Sequence, residues 1–282
     1  MKICDLHCHS HFSDGTCSPA ELIDLAQKQG LSALALTDHN TSKGLEEFTA
    51  AAVGSGVEAV PGCEFTTAYD GAELHIVGLF LPPASWPEVE DYVEIANMAK
   101  IHSNHKLIAA LQKAGYAITE EEVAASTDAP VFNRAHVAAI LVKKGYYPSL
   151  DAAFKTVLSE KDGFYEPPKR HSAQRTIRFI KDIGGVAVWA HPLYQPGDYA
   201  LAEKFLPEAK AAGLDAMETL YSRYDEETTA RAVELAERFG VKQSGGSDFH
   251  GGNKPDISIG TGTGNLCIPY ALCEELKTCR NN

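Results

Sequence analysis

The feature that most constrains this chain is where its short apolar segments stop. Segment 2–6 runs into His7, 31–36 into Thr37-Asp38-His39, and 57–60 into Pro61-Gly62-Cys63-Glu64. Segment 186–190 ends at His191-Pro192, and 241–244 ends in Gly245-Gly246-Ser247-Asp248-Phe249-His250. Segments this short suit strands rather than helices. Between them lie helical stretches with start signals of their own, such as Ser18-Pro19-Ala20-Glu21, a capping box with proline at the first helical position. Alternating strand and helix predicts a mainly parallel sheet with helices outside, and right-handed crossovers bring the strand C-termini to one rim. In closed or nearly closed α/β sheets that rim carries the active site. His7, His39, Glu64, His191, Asp248 and His250 would all stand on it.

Local spacing adds three more candidates. Residues two apart in an extended chain share a face, so His7 and His9 aim at one point and Cys8 at the other side. A lone His-x-His also describes two surface histidines; its weight here comes from the repeated pattern further along. Asp70-Gly71 is a hairpin signal between 65–69 and 74–81, which places His75 on a strand leaning over the same rim. Asp14 lies in the first loop. Thr41 or Ser42 is expected to cap the second helix, and Ser172 a later one that ends at Gly184-Gly185. Further helices are expected at 198–212 and 225–238, with a strand at 215–220.

The character changes at Pro82-Pro83 and Pro87. From 88 to about 158 no strand pattern occurs, and four helices fit, at 88–114, 119–126, 133–144 and 149–158, with Gly115 and Gly145 as stops. Alternation resumes after Pro167-Pro168. The expected organisation is an α/β domain in two parts, 1–86 and 166–282, with an all-helical insertion at 87–165 acting as a substrate cap.

Composition narrows the partners. Lys+Arg is 25 against Asp+Glu 38, a net charge of −13, which opposes long nucleic acid and anionic membrane as partners. The seven cysteines form no C-x-x-C pair and read as reduced, buried thiols, with Cys8 and Cys63 structural. No apolar run approaches a membrane span, and the N-terminus turns polar by Asp5, so no signal peptide is expected and the location expected by default is cytoplasmic.

Taken in order, Asp5-Leu6-His7-Cys8-His9-Ser10 with Ser13-Asp14-Gly15, Leu36-Thr37-Asp38-His39, Gly62-Cys63-Glu64, Glu73-Leu74-His75-Ile76-Val77-Gly78, Ala190-His191-Pro192 and Gly246-Ser247-Asp248-Phe249-His250 resemble the PHP (polymerase and histidinol phosphatase) family. Within it they are similar to small phosphoesterases related to nucleoside bisphosphate phosphatases. Arg134-Ala135-His136 with Leu141-Val142 resembles a family segment in the insertion. The resemblance implies a distorted (β/α)7 barrel holding two to three divalent ions, Mn, Fe or Zn. It implies His7, His9, Glu64 and Asp248 on the first ion, Glu64, His75 and His191 on the second, and Asp14, His39 and His250 on the third. Asp14, His39, Glu64, His191 and Asp248 are then the expected catalytic set. Many relatives have His where this chain has Asp14, a harder ligand that favours Mn or Fe over Zn. The family often reads Thr-Asp-His-Asp, where this chain has Asn40.

The implied activity is that of a metal-dependent phosphoesterase working by in-line attack of metal-held hydroxide on phosphorus. The expected substrate is small: the 3′-phosphate of a nucleoside 3′,5′-bisphosphate, or a short oligonucleotide. A cyclic sugar phosphate is the alternative within the family. A metal amidohydrolase acting on C–N bonds and a non-catalytic metal-binding module are the rivals outside it. Arg134 and His136 are the candidate substrate contacts, because Arg forks onto phosphate oxygens. Lys169, Arg170, His171 and Arg223 read as surface charge, and His11, His102 and His105 as surface histidines. Asp5 and Asp38 are expected to orient ligating imidazoles. Tyr221 fits either a packed ring or a substrate contact.

Overall fold

The computed structural model describes residues 2–127, 131–194 and 198–281. The chain divides into two compact units, Met1–Asp91 with His171–Asn282, and Tyr92–Arg170. The sequence reading placed the joins at 86/87 and 165/166.

The elements follow in order as β1 (Cys4–Asp5), α1 (Pro19–Lys28), β2 (Ala33–Leu36), α2 (Leu45–Ala52), β3 (Glu58–Tyr69), β4 (Ala72–Leu79), α3 (Trp86–Lys113), α4 (Glu120–Ala124), α5 (Arg134–Lys143) and α6 (Leu150–Phe154). They continue with α7 (Ala173–Asp182), β5 (Val186–Trp189), α8 (Asp198–Ala211), β6 (Ala216–Tyr221), α9 (Glu226–Phe239), β7 (Lys242–Gly246) and α10 (Tyr270–Lys277). Among the described residues no helix is long and apolar enough to cross a membrane.

The seven strands form one sheet in sequential order. Its two edges meet: Leu6 N–H donates to Gly245 O (3.2 Å), His9 N–H to Phe249 O (2.9 Å), and Cys8 pairs parallel with Phe249. The sheet is thereby a nearly closed barrel. Its pairs are parallel except around β4, which runs antiparallel to both β3 and β5. The sequence reading split β3 into a strand ending at Glu64 and a hairpin arm. The structure joins them into one twelve-residue strand that pairs with β2 up to Pro61 and with β4 from Gly62 onward. Glu64 therefore sits inside a strand, level with the rim because β2 has already ended and His39 bridges to it.

Alternation along the short strands sorts their residues. Ala33, Ala35, Val60, Val77, Leu79, Val186, Val188 and Ala216 form one buried cluster, joined by Cys273 and Leu276 of α10. Leu34 and Leu36 point the other way, onto Leu22, Ile23 and Ala26 of α1 and Leu45 and Phe48 of α2. Burying one such Leu or Ile side chain contributes about 1.5–3 kcal/mol. The Ser18/Glu21 capping box is formed as expected. The expected cap of α2 is not: Thr41 and Ser42 hydroxyls donate to Glu90 Oε1 (3.0 and 2.8 Å), and α2 starts behind Gly44 without a side-chain cap. Helix α10 was not foreseen; Cys273 and Leu276 supply its buried side.

The helical unit has its own core, with Leu107, Ile108 and Leu111 of α3 packed with Val137, Ala138 and Leu141 of α5 and with Ile118, Val123 and Leu158. Asn133 caps α5, its Oδ1 accepting from the N–H groups of Ala135 and His136.

Candidate metal centre

Strand ends deliver the cluster, and the backbone bends sharply to do it. His191 (φ 34°) and Asp248 (φ 57°) lie in the left-handed region, as does Asn40 (φ 48°) beside His39. Such conformations cost about 1–3 kcal/mol each for non-glycine residues. Each is held by its own N–H: His191 donates to Glu218 Oε2 (2.7 Å), Asp248 to His7 O (2.9 Å) and Asn40 to Glu64 O (2.9 Å). Asn40 also clips onto β3, donating to Thr66 Oγ1 and accepting from Thr66 N, both at 3.0 Å. Gly246 lets β7 pass β1 closely, since a Cβ there would lie 2.1 Å from His7 Cβ.

All nine residues singled out from the sequence converge. His7 Nε2 lies 3.1 Å from Glu64 Oε2 and 3.8 Å from Asp248 Oδ1; His9 Nε2 lies 3.2 and 3.3 Å from the same two oxygens. The other Glu64 oxygen, Oε1, meets His75 Nδ1 (2.8 Å) and His191 Nε2 (3.1 Å). Asp14 meets His250 Nε2 (3.2 Å) and His39 Nε2 (3.9 Å). The second nitrogens also find carboxylates: His9 Nδ1 points to Asp14 (3.9 Å) and His39 Nδ1 to Glu64 Oε2 (3.1 Å). Four sets of three or four ligand atoms lie within 4.8 Å of one another: His9/Asp14/His39/His250, His7/His9/Asp248, His7/Glu64/His191 and His39/Glu64/His75.

The tautomers show what such sets can hold. Carboxylates and carbonyls only accept, so His7 Nδ1–H donates to Glu218 Oε1 (2.7 Å) and His250 Nδ1–H to Asp248 O (2.8 Å). In their neutral forms both rings then turn the Nε2 lone pair toward carboxylate oxygens. Acceptor facing acceptor in a buried site calls for a cation between them. His9 Nδ1, His39 Nδ1 and Glu64 Oε2 are buried and make no hydrogen bond of proper geometry. The donor set, imidazoles with carboxylates, fits Mn, Fe or Zn.

Electrostatics tell the same story in protons. Burial opposes charge on His7, His9 and His75, but adjoining carboxylates outweigh it: Glu64 and Glu218 raise His7, Asp248 and Glu64 push His9 to about 9, and Glu64 with Glu73 pushes His75 to about 10. Burial dominates at His39, which falls to about 3. Asp14, Glu64 and Asp248 sit well below the usual carboxylate range; burial opposes this, and the surrounding imidazoles prevail, with Lys254 adding to them at Asp248.

Several supporting residues differ from expectation. Asp5 and Asp38 touch backbone and hydroxyls rather than imidazoles. Asp5 accepts from the N–H groups of His7, Ser247 and Gly260, and Asp38 from Ser10 N–H and the Ser10 and Ser13 hydroxyls. Glu218 orients His7 instead, and it was overlooked. Its sequence signal was one acid in the otherwise uncharged stretch Ala-Met-Glu-Thr-Leu-Tyr; the structure buries it at 1% exposure beside a bulge between Glu218 and Leu220. Tyr221 O–H donates to Asp248 Oδ2 (2.9 Å), and Lys254 Nζ donates to the same oxygen (2.7 Å). Burial and then the Asp248 charge push the Tyr221 phenol far up, so it stays a donor. Lys254 gave no sequence signal.

Cys8 packs away from the cluster, its Sγ on Ala35 O, and Cys63 is buried. Arg223 is paired with Asp256, and His105 with Glu120. Within the helical unit, the Arg134 guanidinium lies 3.9 Å from the Tyr165 ring centroid and 3.2 Å from Glu160 Oε1, and His136 Nδ1 accepts from Asn133 N–H (3.1 Å).

Residues 5–188 match the model of a family described as the PHP domain. The chain is 32% identical over 246 residues to a 5′-3′ exoribonuclease of Haemophilus influenzae, covering 87% of this chain and 89% of that one. It is 30% identical over 261 residues to a 3′,5′-nucleoside bisphosphate phosphatase of Chromobacterium violaceum, covering 92% and 91%. A solved structure of a proposed metal-dependent phosphoesterase from Bifidobacterium adolescentis superposes with a TM-score of 0.82 at 28% identity, over 100% of this chain and 97% of that one.

Proposed function

This chain belongs to the PHP domain family of metal-dependent phosphoesterases, and on that premise we propose that it removes a terminal phosphate from a small nucleotide, such as the 3′-phosphate of a nucleoside 3′,5′-bisphosphate, or acts at the end of a short oligonucleotide. The observation that carries the reading is the convergence of nine ligand-type side chains, with five imidazoles at the two oxygens of Glu64 and lone pairs facing carboxylates. His7, His9, Glu64 and Asp248 would hold one ion, Glu64, His75 and His191 a second, and Asp14, His39 and His250 a third. Asp14 in the third set favours Mn or Fe over Zn. Ions bound there would offset phosphate charge and bring the pKa of water toward neutrality.

The chain's own residues set the geometry. Glu64 offers Oε2 to His7, His9 and His39 and Oε1 to His75 and His191, so it would serve two of the sets at once. Glu218 fixes the His7 tautomer and the His191 backbone together. Asp14, His39, Glu64, His191 and Asp248 are the residues that would face the reacting group. A nucleotide is favoured over a bare sugar phosphate by Tyr194, a 46% exposed ring 6.4 Å from the His191 ring, where a base could stack. Arg134 and His136 of the helical unit stay the candidate contacts to phosphate; the ion pair of Arg134 with half-exposed Glu160 is of the weak surface kind that an anion can displace.

The test is turnover by protein stripped of metal and reloaded with Mn²⁺, read as phosphate release for the monoesters and as chromatography of the products for the diester and the RNA. The panel holds a nucleoside 3′,5′-bisphosphate, a 5′-mononucleotide, a cyclic phosphodiester, histidinol phosphate and a short RNA. Turnover of the bisphosphate or the RNA above the others, lost in Asp248→Asn and His191→Ala, is the expected result. Preference for the cyclic ester or for histidinol phosphate would overturn the substrate assignment.

A further inference from the structure

Among the described residues, Lys254 is the one Lys or Arg in ion-pair contact with any of the nine clustered side chains. Its place is built by the fold. It follows a 3₁₀ turn, Gly251–Asn253, that is braced on the first loop: Gly252 N–H donates to Thr16 Oγ1 and Asn253 Nδ2 to Asp14 O, each at 2.8 Å. Ile257 N–H closes the segment onto Lys254 O (3.0 Å). The ammonium lies 2.7 Å from Asp248 Oδ2, while Oδ1 of the same carboxylate faces His9 and His250. The side chain is 34% exposed.

This placement has an electrostatic consequence. Ions in this cluster would put positive charge on the far side of the same carboxylate, and the cluster's three carboxylates, Asp14, Glu64 and Asp248, do not neutralise two or three divalent ions together with the ammonium. Like charges this close in a half-buried site repel unless an anion joins them. Lys254 keeps two further N–H donors after its bond to Asp248. We propose that Lys254 is a phosphate-binding residue of this centre, donating to a non-bridging oxygen of the phosphoryl group bound at the cluster. The proposal rests on the phosphoesterase reading above. It assigns Lys254 to the anion and leaves Tyr221 as the donor that holds Asp248.

The experiment separates anion from metal. Mn²⁺ titration of the stripped protein by calorimetry gives metal affinity, and titration of the Mn²⁺-loaded protein with inorganic phosphate gives anion affinity. Lys254→Met should bind Mn²⁺ like the parent chain but phosphate about 10- to 100-fold more weakly, the scale of one hydrogen bond between charged groups. Lys254→Arg should stay within a few-fold of the parent. Unchanged phosphate affinity in Lys254→Met overturns the proposal. So does a parallel loss of Mn²⁺, which would make Lys254 a brace for Asp248, and so does a loaded parent protein that binds no phosphate. Inorganic phosphate needs no turnover, so failure of every ester in the substrate panel would count against the substrate assignment alone.

Discussion

Replacing Glu218 by Gln tests how much of the centre depends on a residue that touches no ion. Its two oxygens each take one short hydrogen bond, from His7 Nδ1–H and from His191 N–H, both 2.7 Å. Glutamine has one oxygen, so whichever donor it keeps, its NH₂ group faces the other donor. The residue is 1% exposed, and water cannot repair the mismatch. A buried donor left unpaired costs about 1–3 kcal/mol. If the loss falls on metal binding, that is about 5- to 150-fold in affinity, since about 1.4 kcal/mol is tenfold. The range overlaps the 10- to 100-fold typical of residues that orient ligating histidines. The strained His191 backbone also loses its anchor in one of the two arrangements. The assay is Mn²⁺ titration of the stripped variant, followed by phosphate release at saturating Mn²⁺, with thermal melting to verify the fold. A folded Glu218→Gln protein with parental Mn²⁺ affinity and parental turnover would refute the reasoning.

Four further outcomes are expected. In metal-free protein His9 and His75 keep protons to about 9 and about 10, against an unfolded value near 6.5. Folded chains then bind more protons than unfolded ones between pH 6.5 and 8.5, so the melting temperature in chelator should fall as pH rises through that window; a flat or rising midpoint contradicts this. Mn²⁺ must displace those protons, so its affinity should climb over the same window. Gly246→Ala drives a Cβ to 2.1 Å from His7 Cβ and should lower turnover by about 100-fold, the scale of an ångström-sized misplacement, while the chain still melts cooperatively. Tyr221→Phe removes one of the two donors on Asp248 Oδ2 and should weaken Mn²⁺ by about 5- to 10-fold, measured by calorimetry.

Much of this centre was legible because its ligands end strands. The helix starts and strand stops around His7, His39, His191 and Asp248 are written in a few neighbouring residues each, and an alternating α/β chain brings strand ends to one rim. Glu64 was placed correctly for a partly wrong reason. The sequence around Pro61-Gly62 looks like a strand end, whereas β3 continues and changes from a parallel to an antiparallel partner. Gly62 admits Gly78 O at a distance a Cβ could not tolerate. Asp5 and Asp38 were recognised as supports but given the wrong targets, because a carboxylate's partner cannot be read from its own neighbours.

The amino-acid sequence by itself determined which chemistries are offered to one rim, six imidazoles and three carboxylates, most of them where strands stop. Only the tertiary structure decided who shares an oxygen with whom. His7 and Glu218 are 211 residues apart, and their bond depends on closure of β1 against β7 and on the bulge that follows Glu218. Lys254 reaches Asp248 because a glycine turn leans on Thr16. Periodicity encodes direction within an element over a few residues. Contacts between elements depend on the register of the whole barrel, and no local pattern carries that information.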